Sequence, residues 1–283
     1  MQNRSLNKKT VALTGASGGL GKALCKQILA NGGNLIVIDR NAAKQAALIS
    51  DLKSLFPEAA VSGLLADMED IESVRRLAEA LAAKEVDHLI LNAGAYSIPR
   101  RKTSLGLDNV FTINFVSPYY LTRALLPSLR ARGGRVIAVG SIAHNYSKSD
   151  AQDEDFSTRT RASLVYGNAK RHLTAAFFDL AAKGESVCVA HPGISFTGIT
   201  AHYPKLIFAL IRHPMKLIFM KPEKAALSIF EGLFTPTAAG EWIGPRLFNI
   251  WGKPKKQPLK TIKPEEQARL AAYANELYEK IAN

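Results

Sequence analysis

Thr14-Gly15-Ala16-Ser17-Gly18-Gly19-Leu20-Gly21 is the stretch on which the reading of this chain turns. It follows a short apolar run, Thr10 to Thr14, and opens an amphipathic one, Gly19 to Asn31. At a strand-to-helix junction the glycines have separate duties. Gly15 permits the tight turn, Gly19 lets the backbone approach a pyrophosphate, and Gly21 lets helix and strand pack closely. The helix N-terminus supplies free N–H groups and a partial positive charge to the phosphates. A glycine-rich loop alone is a weak signal. Here it has a strand before it, a helix after it and an acidic residue, Asp39, at the end of the next apolar run. Thr14, Gly15, Ser17, Gly18, Gly19, Leu20 and Gly21 are therefore candidate contacts to a dinucleotide. Asp39 would hydrogen-bond the adenosine ribose hydroxyls and repel a 2′-phosphate, which favours NAD. Arg40 can pair with that phosphate, which keeps NADP open. Asp39 placed there can also cap the following helix.

Outward from this loop, short apolar runs alternate with longer amphipathic stretches. Thr10 to Thr14, Asn34 to Asp39, Val61 to Leu65, His88 to Asn92, Arg135 to Gly140 and Ser186 to His191 read as strands. Gly19 to Asn31, Ala42 to Phe56, Ile71 to Lys84, Leu107 to Arg130 and Ala162 to Ala182 read as helices. The strands are nearly continuous in apolar character, as in a sheet covered on both faces. The alternation predicts an α/β fold, a doubly wound parallel sheet of right-handed βαβ units. After Pro192 the rhythm breaks. Helices are expected over Pro222 to Leu233 and Pro264 to Ile281, with an irregular stretch between them that holds Trp242 and Trp251. The whole chain, 1–283, reads as one Rossmann-type domain, with a substrate lid at about 195–222 and a C-terminal extension at about 235–283.

Composition narrows the class. The 283 residues are 47% hydrophobic, enough for a large core without metal or disulfide staples. The two cysteines, Cys25 and Cys188, fall in a predicted helix and strand and read as buried thiols in a reducing compartment. No signal peptide is visible at the polar, basic start, and no run reaches the roughly 18 apolar residues of a membrane span. The expected location is cytoplasmic or peripheral to a membrane. The net charge is +13, with denser patches at Pro99–Lys102 and Lys253–Lys263, but no nucleic-acid-binding module surrounds either. The histidines and carboxylates do not cluster at metal-ligand spacing.

Tyr166 and Lys170 lie four apart, on one face of a predicted helix. Such a pair alone is commonplace. Interconversion of an alcohol and a carbonyl needs an acid/base at the oxygen, and a nearby lysine cation favours the phenolate of a tyrosine. Ser141 ends the fifth predicted strand and Asn92-Ala93-Gly94 ends the fourth, at the sheet edge where doubly wound folds bind ligands. Ser141 can hydrogen-bond a substrate oxygen.

In sequence order, Thr14-Gly15 with Gly19-Leu20-Gly21, Asp67, Asn92-Ala93-Gly94, Asn114, Ser141, Tyr166 with Lys170, and Pro192-Gly193 resemble the short-chain dehydrogenase/reductase superfamily, over roughly residues 10 to 200. The resemblance implies a catalytic tetrad of Asn114, Ser141, Tyr166 and Lys170. Tyr166 would be the acid/base and Ser141 would orient the substrate. Lys170 would hold the nicotinamide ribose and lower the tyrosine pKa, and Asn114 would position a water in the proton relay. Asp67, with Met68 beside it, would meet the adenine, and Asn92, Ala93 and Gly94 would support the sheet or the cofactor. Pro192, Gly193 and Thr197 would line the nicotinamide side. Ser141 and Tyr166 are 25 residues apart, and the polar insertion His144–Arg161 between them is similar to one in the retinol dehydrogenase-like and protochlorophyllide reductase-like branch. Leu107-Asp108, Leu125-Leu126-Pro127 and His191-Pro192-Gly193 point the same way. Members of that branch mostly use NADP(H) and act on bulky apolar substrates; an arginine at position 40 is usual there and Asp39 is not.

The implied activity is hydride transfer between NAD(P) and a carbonyl or alcohol. The apolar content of Tyr203 to Met220 suits first a hydrophobic substrate tunnel; with Lys205, Arg212, Lys216 and Lys221 it also suits membrane contact through 203–221, and a homo-oligomer contact or ordinary packing is the remaining reading. A non-catalytic cofactor-binding sensor or scaffold, and an epimerase or dehydratase, are the alternatives on the same fold.

Overall fold

Successive residues of each short apolar run divide between two cores. Val11, Leu13, Leu35, Val37, Ile90, Ile137 and Val139 enter one, and Ala12, Ile36, Ile38, Leu89, Leu91, Val136 and Ala138 enter the other. Side chains on a strand alternate between faces, so a run that is apolar at every position must be covered on both sides. The runs are β1 (Thr10–Thr14), β2 (Asn34–Asp39), β3 (Val61–Leu65), β4 (His88–Leu91), β5 (Arg135–Val139) and β6 (Val187–Ala190). The computed structural model describes residues 4–193 and 220–283. Within them these strands and two more form an eight-stranded sheet in the order β3-β2-β1-β4-β5-β6-β7-β8. All neighbouring pairs are parallel except the last. The lid expected at about 195–222, Thr197 and the segment 203–221 lie outside the described residues, apart from Met220, Lys221 and Pro222.

Helices α1 (Gly19–Ala30), α2 (Ala42–Leu55) and α7 (Pro222–Gly232) cover one face through residues such as Leu24, Ile28, Leu48, Leu52 and Ile229. Helices α3 (Ile71–Ala82), α5 (Ser117–Ala131), α6 (Ala162–Ala182) and α8 (Pro264–Ala282) cover the other through Val74, Leu77, Leu121, Leu125, Leu173, Phe177 and Ala274. The apolar spacing of α3, with Ile71, Val74, Ala78 and Leu81 inward, is that of an amphipathic helix, and the Asp70 carboxylate caps it by accepting from the Glu72 N–H. The expected helix Leu107–Arg130 is composite. It comprises α4 (Asn109–Phe111), a π-helical segment (Thr112–Val116) and α5. β3 departs from the both-faces pattern, since Ser62, Gly63 and Leu65 are exposed at the sheet edge.

The stretch expected to be irregular around the two tryptophans is instead a hairpin, β7 (Glu241–Leu247) and β8 (Trp251–Pro258). Pro245, Pro254, Pro258 and the lysines hide its alternation. Prolines lack the ladder donor and are tolerated on an edge strand such as β8 or next to an irregularity such as the register shift at Pro245/Leu247.

The polar insertion is held by hydrogen bonds and ion pairs. Asp155 accepts from the Asp108 N–H at 2.7 Å, Arg100 pairs with Asp108, and Glu154 meets both His172 and Arg269. Helix α8 is pinned to α6 by Arg171, whose guanidinium forks onto Glu266, with Nε–Oε1 at 2.7 Å. That guanidinium holds the Glu266 carboxyl down at about 2.

Two predictions follow from this packing. A Cβ on Gly21 would lie 2.2 Å from the Gly15 carbonyl oxygen and 2.6 Å from that of Ala16. Gly21→Ala is therefore expected to cost about 1–3 kcal/mol, read as a fall of several degrees in Tm. Glu266→Gln is expected to cost about 1–2 kcal/mol at neutral pH, the partial exposure of the carboxylate reducing the value. Because the folded-state pKa is depressed, the stability from this pair is present above the unfolded value near 4.5 and is lost as pH falls toward 2. Denaturant titrations of wild type and Glu266→Gln should therefore converge across that acid window.

Candidate active site

The carboxyl ends of β1, β2, β4 and β5 share one sheet edge, because these strands are parallel neighbours. Two side chains join β1 to β4 there. The Asn92 amide donates to the carbonyls of Thr14 and Gly15 at 3.0 Å each. The Thr14 hydroxyl accepts from the N–H groups of Asn92 and Ala93, also at 3.0 Å. Gly15, with φ +66°, turns the chain into the loop, and a Cβ on it would lie 2.9 Å from Ala93 Cα. Gly19 differs, since a Cβ there would meet nothing within 4 Å. Gly18 precedes α1 and no side chain caps the helix. Open space beside Gly19 and first-turn N–H groups without a side-chain cap are what a pyrophosphate needs, so the loop fits a dinucleotide.

Asn41, not Asp39, caps α2, accepting from the Lys44 N–H at 2.9 Å. Asp39 is buried at the end of β2 and holds the loop. It accepts from the Ser17 N–H at 3.1 Å and from the Ser17 hydroxyl at 2.8 Å. Burial raises its pKa, and the Ser17 hydrogen bonds partly offset this. Arg40 beside it is exposed. At the end of β3, Asp67 accepts from the Glu69 N–H at 3.0 Å and the buried Met68 presents its carbonyl to the Ser117 hydroxyl at 2.7 Å.

Ser141 follows β5 and opens the 3-10 turn Ile142–Asn145, its Oγ accepting from the Ala143 N–H at 3.1 Å. Burial pushes the Tyr166 phenol up to about 12, and the nearby Ser141 hydroxyl acts against that rise. Lys170, one turn along α6, is 3% exposed, and its Nζ donates to the Val139 carbonyl at 2.8 Å. Burial pulls this ammonium down to about 8. Its Nζ lies 5.7 Å from the centroid of the Tyr166 ring, whose edge meets Tyr96 at 5.4 Å. Asn114, in the π-helical segment, donates to the carbonyls of Ala95 and Val110 at 2.8 Å each. A Cβ on Gly94 would come within 2.8 Å of Asn114 Oδ1, so Gly94 lets this side chain approach the β4 end. Gly193, with φ +82°, packs against Ile250 and Pro245 of the hairpin, and Pro192 before it is half-buried. Thr197 is outside the described residues.

Three further residues support this arrangement, and of these only His144, three residues past Ser141, is placed near the site by the sequence alone. Gly167 is one: a Cβ there would lie 2.4 Å from the Ala143 carbonyl, so glycine lets α6 touch the turn and bring Tyr166 to Ser141. Glycine inside a helix costs about 1 kcal/mol, and that cost is the signal that could have found it. His144 is the second. Its Nδ1 lies 2.6 Å from the Ser141 carbonyl and its Nε2 lies 2.7 Å from the Thr261 hydroxyl. Burial lowers its pKa, so it is neutral, donating from Nδ1 and accepting at Nε2. Arg171 is the third, donating to the His144 carbonyl at 3.0 Å and to the Thr261 carbonyl at 3.0 Å. The C-terminal extension thus reaches the catalytic turn, which no local motif announces. His191 is structural. It stacks on Trp242 at 5.1 Å and donates to the Asn249 carbonyl at 3.0 Å.

Comparison with known proteins bears on the family and the fold. The family model described as short chain dehydrogenase matches residues 9–151. Human retinol dehydrogenase 13 is 30% identical over 202 residues, covering 69% of this chain and 61% of that protein, so the match spans less than two thirds of that relative's length. Mouse polyprenol dehydrogenase is 27% identical over 276 residues, covering 92% of this chain and 81% of that protein. Among solved structures, an uncharacterised protein from Mycobacterium Paratuberculosis superposes with a TM-score of 0.75 at 24% identity, covering 97% of this chain and 95% of that one. The glycine loop, the strand-end asparagine and the strand-end Ser141 stand in a chain that belongs to the short-chain dehydrogenase/reductase family.

Proposed function

We propose that this protein is an NAD(P)-dependent oxidoreductase that interconverts an alcohol and a carbonyl on an apolar substrate, with Tyr166 as the acid/base. The observation that carries the reading is the placement of Ser141, Tyr166 and buried Lys170 at the same sheet edge as the glycine loop. The bound nicotinamide would supply or accept the hydride. Tyr166, pushed up to about 12, keeps its proton at neutral pH, which is the form that donates to a carbonyl oxygen. Ser141 would orient that oxygen and stabilise charge growing on it. Lys170 uses one donor on Val139 and would hold the nicotinamide ribose with the others. Asn114 would position a water, and Asp67 and Met68 would meet the adenine. An apolar substrate accords with relatives named for retinol and polyprenol.

For the cofactor, we infer a preference for NAD. Asp39 at the end of β2 would accept from the ribose hydroxyls and repel a 2′-phosphate, while exposed Arg40 offsets part of that repulsion. The expected selectivity is modest, within about tenfold, because one cation stands next to one anion.

Three measurements test this. Tyr166→Phe is expected to lower kcat by about 10²–10⁴-fold while leaving cofactor affinity nearly unchanged; full activity in that variant contradicts the mechanism. Alcohol oxidation needs the phenolate, so its rate should rise with pH between neutrality and about pH 10, whereas carbonyl reduction should not rise. Fluorescence titration should show tighter NADH than NADPH binding, with Asp39→Ala reversing the order; tighter NADPH binding by the wild type overturns the cofactor preference.

A further inference from the structure

The tip of the β7–β8 hairpin displays apolar side chains that no packing requirement explains. Phe248 is 85% exposed and Leu247 is 53% exposed. The turn closes with the Ile250 N–H donating to the Leu247 carbonyl at 2.9 Å, and its two central residues, Phe248 and Asn249, have φ of +52° and +58°. Two consecutive left-handed residues define the turn that normally takes Asn-Gly, and a bulky aromatic is a poor occupant of its first position. Both solvent and backbone therefore disfavour Phe248 where it stands.

The cations around the tip are arranged by the strands. Arg246 precedes Leu247, and Lys253 and Lys255 follow on β8, all exposed, while Lys256 pairs with Glu241 at 3.5 Å. At about 3.3 Å per residue, Lys253 stands roughly 7 Å back from the start of β8 and Lys255 roughly 13 Å back. An apolar point with a basic collar at this depth matches the division between acyl chains and anionic headgroups. A protein partner fits less well. Phe248 and Leu247 offer at most a few hundred Å² on a convex turn, well short of the roughly 800 Å² per side of a stable interface.

The tip is also firmly placed. β7 runs parallel to β6, so it ends at the sheet edge that carries the candidate site. Asn249 accepts from His191 Nε2 at 3.0 Å, and Ile250 packs against Gly193.

We propose that the β7–β8 turn is a bilayer-docking element. Leu247 and Phe248 enter an anionic lipid surface, and Arg246, Lys253 and Lys255 meet its headgroups. This surface stands independently of the catalytic reading, and its test needs no turnover. The full chain would be sedimented with vesicles of phosphatidylcholine alone or with about 30% phosphatidylglycerol, an anionic content that gives the surface its negative potential. Binding to the anionic vesicles is expected to exceed binding to neutral ones at least tenfold. The double variant Leu247→Ser with Phe248→Ser, and separately Lys253→Glu with Lys255→Glu, should each lower it about tenfold or more. Both pairs are exposed, so Tm and circular dichroism should match the wild type. Phe248→Cys, labelled with a polarity-sensitive dye while the buried Cys25 and Cys188 stay unreactive, should shift to the blue only with anionic vesicles. Equal binding by the double variant, the absence of a blue shift, or failure to bind either vesicle overturns the proposal. So does a concentration-dependent rise in mass without lipid that Phe248→Ser abolishes, since the turn would then join two copies of the chain.

Discussion

The exchange between Asn92 and Thr14 is the joint on which the site depends. Four hydrogen bonds of 3.0 Å tie the end of β1 to the end of β4 just where each strand leaves the ladder. Backbone groups at buried strand ends need partners, and here two side chains supply them. The loop that turns at Gly15 starts from one side of this joint. The chain that meets Asn114 through Ala95 starts from the other. The glycine loop and the π-helical segment that carries Asn114 are thereby set against each other by short contacts, without any large element between them.

Burial is the stronger force on Tyr166 and Lys170. It raises the Tyr166 phenol and lowers the Lys170 ammonium, so both are biased toward their neutral forms. The Ser141 hydroxyl acts against that bias at Tyr166, and Lys170 is anchored on the Val139 carbonyl. Keeping Ser141 in place falls to an outer layer, where His144 grips its carbonyl and Thr261 and Arg171 grip His144. The formal charge of +13 conceals how many cations serve in this way. Arg100, Arg101, Arg171 and Arg269 all pair with carboxylates that hold loops or helices.

What the sequence disclosed and what it hid follow a physical division. β1, β2, β4, β5 and β6 are apolar at nearly every position because both faces are covered, so they could be found without knowledge of the fold. The glycine loop and the Tyr166–Lys170 spacing are local, and local geometry is written in local sequence. β7 and β8 were not legible, because prolines and lysines at a sheet edge erase the period of two that marks a strand. The π-helical widening around Asn114 leaves no compositional trace. The link from Glu266 to Arg171 spans 95 residues, and only folding brings those charges together. Asp39 could be seen as a cofactor selector or a helix cap, but its bond to Ser17 depends on the conformation of a loop 22 residues away.

The hairpin that ends the sheet also bears on whether another chain can extend it. β8 is the last strand, and it carries Pro254 and Pro258 together with Lys253, Lys255 and Lys256. Prolines break the row of outward donors, and lysines make two such edges repel. The sheet therefore terminates here instead of offering a template on which a second chain could continue it. Extension of the sheet across this edge would require those prolines and lysines to be replaced.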